Sequence, residues 1–188
     1  MLKWVGGCLV VVIVLVIGGS WFALRTMRES LAPDGSVRVA ISATPQRVFA
    51  SLADGDSVRT WMAQGNTVTA TRRGRFQPGD SIRITLRATL GMSPEPMIWE
   101  VKEVVPDTLL VLELRSSSAR SGMAIRRDSV AAAGDSTIVL SRLTSTLPDS
   151  AKSSTTAEMM MSMFRMQSKL EIESLKARIE GRAAIPRR

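Results

Sequence analysis

Few residues of this chain could do chemistry, and none of them comes with a partner to activate it. Glu100 and Glu113 lie in alternating stretches and could point inward as a pair of acids. Acid–base work by two carboxylates needs one held protonated and one ionised. The 188-residue chain offers no His and no Tyr to assist them. Alternation beside Arg and Lys gives both glutamates an ordinary solvent-facing role as well. Without His, histidine-based triads are impossible. The single Cys, Cys8, cannot pair within the chain, and the usual zinc sites need His or several Cys. Asp54 and Asp56 read as helix-ending and capping residues. The serine runs at 116–118 and 153–154 read as loops with no base arrangement beside them. Gly6-Gly7 and Gly18-Gly19 fall inside an apolar run and are not phosphate cradles. No P-loop, dinucleotide fingerprint, EF-hand or metal-ligand spacing is present. The expectation is a protein with no catalytic residue, no metal ligand and no cofactor.

Charge points elsewhere. The net charge is +8, and 20 of the 25 basic residues are Arg. Such a balance favours anionic partners: nucleic acid, acidic proteins or lipid headgroups. The densest groups are Arg72, Arg73 and Arg75, then Arg126 and Arg127, and neither is interleaved with aromatics. A platform for stacking single-stranded bases is therefore unsupported, and nucleic acid is not an expected partner. A solvated basic face explains the same residues. Attraction to a membrane surface is the functional alternative.

The elements that must position these residues begin after an apolar segment. Trp4 to Leu24 carries no charge over 21 residues. At about 1.5 Å per residue it spans roughly 30 Å, a bilayer core. Trp4 and Trp21 stand near its ends, where interfacial aromatics are expected. The reading is an uncleaved transmembrane signal anchor over residues 1–25. A signal peptide cut before Trp21 is the alternative, and a lipoprotein signal at Cys8 would require that Cys to follow the apolar run, which it does not. Lys3 stands against Arg25 and Arg28, so charge gives orientation no clear bias. A short basic N-terminus usually stays in the cytoplasm, which places the domain outside a bacterial inner membrane.

A polar linker over 26–35 ends in the turn signal Pro33-Asp34-Gly35. The domain follows at 36–185. Val37, Val39 and Ile41 alternate as a half-buried strand. Thr44 and Pro45 open a helix with an apolar face of Val48, Phe49 and Leu52, and a second short helix carries Val58, Trp61 and Met62. About six strands then follow, spaced as in an antiparallel meander. A long helix closes the chain, starting near Thr155 and ending before Gly181. Met161, Phe164, Ser168, Ile172, Leu175 and Ile179 form one stripe along it. Met159, Met163, Met166 and Leu170 form a second, opposite stripe, which a helix packed on a single sheet would leave uncovered.

This α+β order, β-α-α-β6-α, resembles the helix-grip fold of the START-like (SRPBCC) superfamily. That group includes polyketide cyclase and lipid-transport proteins, Bet v 1-like proteins and Hsp90-ATPase-activator-like domains. Val39, Ile41, Ala43, Pro45, Val48, Phe49, Asp54 and Trp61 match its opening strand–helix pattern, and Gly74, Phe76, Gly79 and Asp80 match a later Gly-x-Phe-x-x-Gly-Asp. The resemblance implies an antiparallel sheet of about seven strands wrapped around the C-terminal helix, with a ligand cavity between them. Candidate lining residues are Trp61, Ile84, Leu86, Trp99, Val101, Leu112, Ile138, Met161, Phe164, Ile172 and Leu175. A one-residue error on a later strand would invert its face. The expected function is non-catalytic binding of a hydrophobic small molecule or lipid at a membrane. The rivals are a cyclase- or dehydratase-like enzyme using Glu100 or Glu113, and an interaction module of the Hsp90-activator type.

Overall fold

The computed structural model describes residues 36–63, 66–85, 96–115, 123–147 and 155–181. The apolar segment 4–24, the linker and Leu86 lie outside them. Among the described residues no helix is long and apolar enough to cross a membrane. The element order is β1 (Val37–Ile41), α1 (Pro45–Leu52), α2 (Gly55–Trp61), β2 (Thr67–Ala70), β3 (Ser81–Thr85), β4 (Met97–Val105), β5 (Leu109–Arg115), β6 (Ala124–Ala133), β7 (Ser136–Ser145) and α3 (Thr155–Ile179).

All seven strands form one antiparallel sheet in the order β1-β7-β6-β5-β4-β3-β2. Consecutive strands pair by hairpins, except that β1 returns to the far edge against β7. Alternation decides the faces. One face carries Ile82, Ile84, Trp99, Val101, Leu110, Leu112, Leu114, Ala124, Val139 and Leu143, all buried, and α1, α2 and α3 cover it. A bulge between Val101 and Glu103 shifts the register of β4 on β5.

Local chemistry starts each short helix. The Thr44 hydroxyl accepts from the Arg47 N–H at 3.4 Å, and Pro45 takes the first turn. The Asp54 carboxylate accepts from the N–H groups of Asp56 and Ser57 at 3.1 and 2.7 Å. The register also fixes the two ends of the molecule. Met97, Arg115, Met123 and Ser145 share one end of the sheet. At the other end α3 is tied down: the Ser42 N–H donates to Glu180 Oε1 at 2.9 Å, and Arg47 Nη2 donates to the Ile179 carbonyl at 3.1 Å.

Gly55 opens α2 against the backbone of the β2–β3 connection, and a Cβ there would stand 1.9 Å from the Arg72 carbonyl oxygen. No rotamer relieves a clash with backbone. Gly55→Ala should destabilise the fold by about 1–3 kcal/mol or more, read as a lowered urea midpoint. An unchanged midpoint would mean that α2 does not sit this close.

Candidate functional site

Strand β6 presents Ala124, Arg126, Asp128 and Val130 to the covered face. Two charged side chains therefore enter the core together. Arg126 is 1% exposed, Asp128 0% and Glu171, from the middle of α3, 2%. Arg126 Nε lies 3.0 Å from Asp128 Oδ1 and 2.9 Å from Oδ2, and it donates to Oδ1. Arg126 Nη1 donates to Glu171 Oε2. Gln167, one turn earlier on α3, donates from Nε2 to Glu171 Oε1 at 3.0 Å. The indole of Trp61 lies 6.0 Å from the Arg126 guanidinium carbon, at the outer limit for a cation–π contact.

The charges do not balance: one cation faces two carboxylates in a dry interior. Burial disfavours the charge on Arg126, but Asp128 and then Glu171 outweigh it, and its pKa is raised. Glu171 is also pushed up, first by burial, which its hydrogen bonds from Arg126 and Gln167 offset only in part. A proton on Glu171 brings the cluster to neutrality, which a dry interior favours. Three buried polar atoms in and beside this cluster stay without a hydrogen-bond partner: Arg126 Nη2, Asp128 Oδ2 and Ser141 Oγ. Asp128 Oδ2 has its ion-pair contact to Nε but lacks hydrogen-bonding geometry there. Ser141 is the direct cross-strand partner of Asp128. Among the described residues no group of His, Cys, Asp and Glu could hold a metal ion.

The residues expected to line a cavity are placed as follows. Trp61, Ile84, Trp99, Val101, Leu112, Met161, Ile172 and Leu175 all join the buried core, and Phe164 packs against it half-buried. Trp61, Ile84, Val101, Leu112, Ile172 and Leu175 keep at most 1% exposure, so no water-sized space touches them. Ile138 is a correction. Thr137, Val139, Ser141 and Leu143 are the inward residues of β7, so Ile138 lies on the opposite face. There it lines a shallow depression of about 340 Å³ with Arg38, Ala131 and Leu140. Glu100 and Glu113 also sit on that outer face, opposite one another and bound to Lys102 and Arg115. The hydrogen bond from Arg115 holds the Glu113 carboxyl below its usual range, the reverse of what a general acid needs. Sequence reasoning missed Arg126, Asp128 and Glu171, having read Arg126 as part of a basic surface.

The long helix is held unequally. Between Glu158 and Gln167 only Met161 is buried, whereas Ser168, Glu171, Ile172, Leu175, Ala177 and Ile179 are buried beyond it. Met159 and Met163 stand 63% and 61% exposed, and Leu170 is exposed with them. The apolar start of α3 is thus less buried than its second half, and Phe164 packs half-buried against the same core as Met97 and Met123.

Residues 33–180 match the family described as polyketide cyclase / dehydrase and lipid transport. The chain belongs to this family. No curated protein matches it. Among solved structures, the solution structure of the Aha1 dimer from Colwellia psychrerythraea aligns with a TM-score of 0.56 and 17% identity, over 77% of this chain and 94% of that one. The solution structure of KanY protein aligns at 0.57 and 21%, over 78% and 97%. A protein from Arthrobacter aurescens aligns at 0.57 and 15%, over 79% and 86%. At these identities the likeness is one of fold. In this chain, Gly35–Arg188 form a compact unit that holds the sheet and all three helices.

Glu171 supplies a pH test. Its folded pKa lies above the ordinary 4.5, so the native state binds more protons than the unfolded chain as pH rises through that window. Glu171 therefore contributes most to stability below pH 4.5 and loses that contribution as pH rises through its raised folded pKa. The stability of the wild type minus that of Glu171→Gln should fall as pH rises above 4.5, measured by urea unfolding. A difference that grows with pH would mean that Arg126 holds Glu171 ionised.

Proposed function

We propose that this domain binds a hydrophobic small molecule or lipid between the sheet and the first half of α3, without catalysing a reaction on it. Residues 4–24 would tether it to a membrane, with the domain outside a bacterial inner membrane. The observation that carries the binding reading is the uneven burial of α3: a locked second half, and an apolar stretch from Glu158 to Gln167 in which Met161 alone is buried. Parting that half from the sheet would open a path lined by Met161, Phe164, Met97 and Met123. Methionine suits such a path, because its unbranched, polarizable side chain adapts to irregular apolar partners. The family description, which includes lipid transport, agrees. The outward ion pairs of Glu100 and Glu113 favour a non-catalytic role over one using those acids.

A second reading, a protein-interaction module, draws on the same helix. Its exposed Met159, Met163 and Leu170, together with the closed interior, suit a partner on the outer stripe. Native mass spectrometry with lipid extraction separates the two readings. Residues 30–188, purified from the source cells without detergent, should carry a stoichiometric apolar molecule. Phe164→Glu should lose it by about tenfold or more, since a charge in an apolar site costs well over the 1.4 kcal/mol of one decade. An empty protein, with a crosslinked partner lost on Met163→Glu plus Met166→Glu, would replace the ligand reading with the interaction module.

A further inference from the structure

The Arg126 cluster lies on the α3 stripe directly beyond Phe164 and Ser168, so a molecule entering at the methionine end would meet it next. Its unpartnered atoms define what it could receive. Nη2 shares an edge of the guanidinium with Nε, and Asp128 Oδ2 is 2.9 Å from that Nε. An N–H donor and a carboxylate acceptor that both lack a hydrogen bond are therefore neighbours. Ser141 Oγ, opposite Asp128 across the β6–β7 pair, is a third unpaired group on the same face. All three belong to side chains at most 2% exposed.

Donor and acceptor types select the guest. A carboxylate has no proton to donate to Asp128 Oδ2. An ammonium head has no lone pair to accept from Arg126 Nη2–H. A neutral hydroxyl satisfies both orphans at once, accepting from Nη2–H and donating to Oδ2. We propose that the Arg126–Asp128–Ser141 cluster, backed by Glu171, recognises the hydroxyl group of an otherwise apolar ligand. The assignment rests on the binding reading above and names the chemical class of its ligand. No water-sized space touches these atoms when the interior is closed, so recognition requires the first half of α3 to lift. The guest hydroxyl then completes hydrogen bonds that the closed protein leaves unmade.

The test compares three probes of one chain length, dodecanol, dodecanoate and dodecane, by displacement of diphenylhexatriene from residues 30–188. Dodecanol should bind about tenfold more tightly than either of the others, the worth of one good hydrogen bond to a charged group. Ser141→Ala leaves the ion pairs in place and should weaken dodecanol several-fold while leaving dodecane unchanged. Arg126→Met combined with Asp128→Leu and Glu171→Met replaces the charges with apolar volume, an exchange that often preserves or raises stability. It should bind dodecanol and dodecane alike. Equal binding of dodecanol and dodecane by the wild type, or a preference for dodecanoate, overturns the hydroxyl assignment and leaves the apolar site standing. Failure of the wild type to bind diphenylhexatriene or any of the three overturns the binding reading itself.

Discussion

A buried guanidinium between two carboxylates is the constraint on which the rest of this structure depends. Arg126 and Asp128 come from one strand and Glu171 from the helix laid across it. Removing Arg126 would leave Asp128 as an uncompensated charge in a dry interior, at a cost of several kcal/mol, on the order of 3–5. The contact also sets the helix register. Sliding α3 by one residue would turn Glu171 by about 100° and carry it away from Arg126. Apolar residues alone would tolerate such a slip better, because Ile, Leu and Met can exchange places in a core.

The cluster divides the interior in two. Beyond it, Ile172, Leu175 and Ile179 lie in the core with Ile41, Val48, Phe49 and Leu52, and hydrogen bonds from Ser42 and Arg47 fasten the helix end. Before it, Met161 is buried and Phe164, Met97 and Met123 pack half-buried against the same core, with fewer buried neighbours on that half of the helix. Regions with few buried apolar contacts open at lower free energy than the core to which they are joined. One helix thus supplies a fixed support and a half that can yield, and the proposed binding path follows from that difference. The opposite sheet face is a separate matter: Glu100, Glu113, Lys102 and Arg115 neutralise one another there in reach of water.

Much of the fold was legible because its signals are local. Alternation in β1, the Thr44–Pro45 start, the Asp54 break and the stripe from Met161 to Ile179 each follow from residues close in sequence. The order β-α-α-β6-α follows from them, and so does the likeness to the helix-grip fold. The cluster was hidden because β6 reads Ile-Arg-Arg-Asp-Ser-Val, with charge on both faces. Nothing local says whether Arg126 or Arg127 turns inward. Strand β7 has the same ambiguity: Thr137, Val139, Ser141 and Leu143 face in, whereas the equally apolar Ile138 and Leu140 do not. Two hydroxyls on an inward face are tolerable only beside other polar groups, and that neighbourhood is made by strand pairing. Glu171 gave one faint signal, as a charge next to Ile172 on an apolar stripe.

The central claim is that α3 has a fixed half and a yielding half, with the Arg126–Glu171 contact as the boundary. Amide hydrogen exchange along the helix, read by mass spectrometry with and without dodecanol, tests this most directly. Amides up to Gln167 should exchange much faster than those from Ser168 to Ile179, and dodecanol should slow the first group alone. Uniform protection along the helix, untouched by the ligand, would contradict the account.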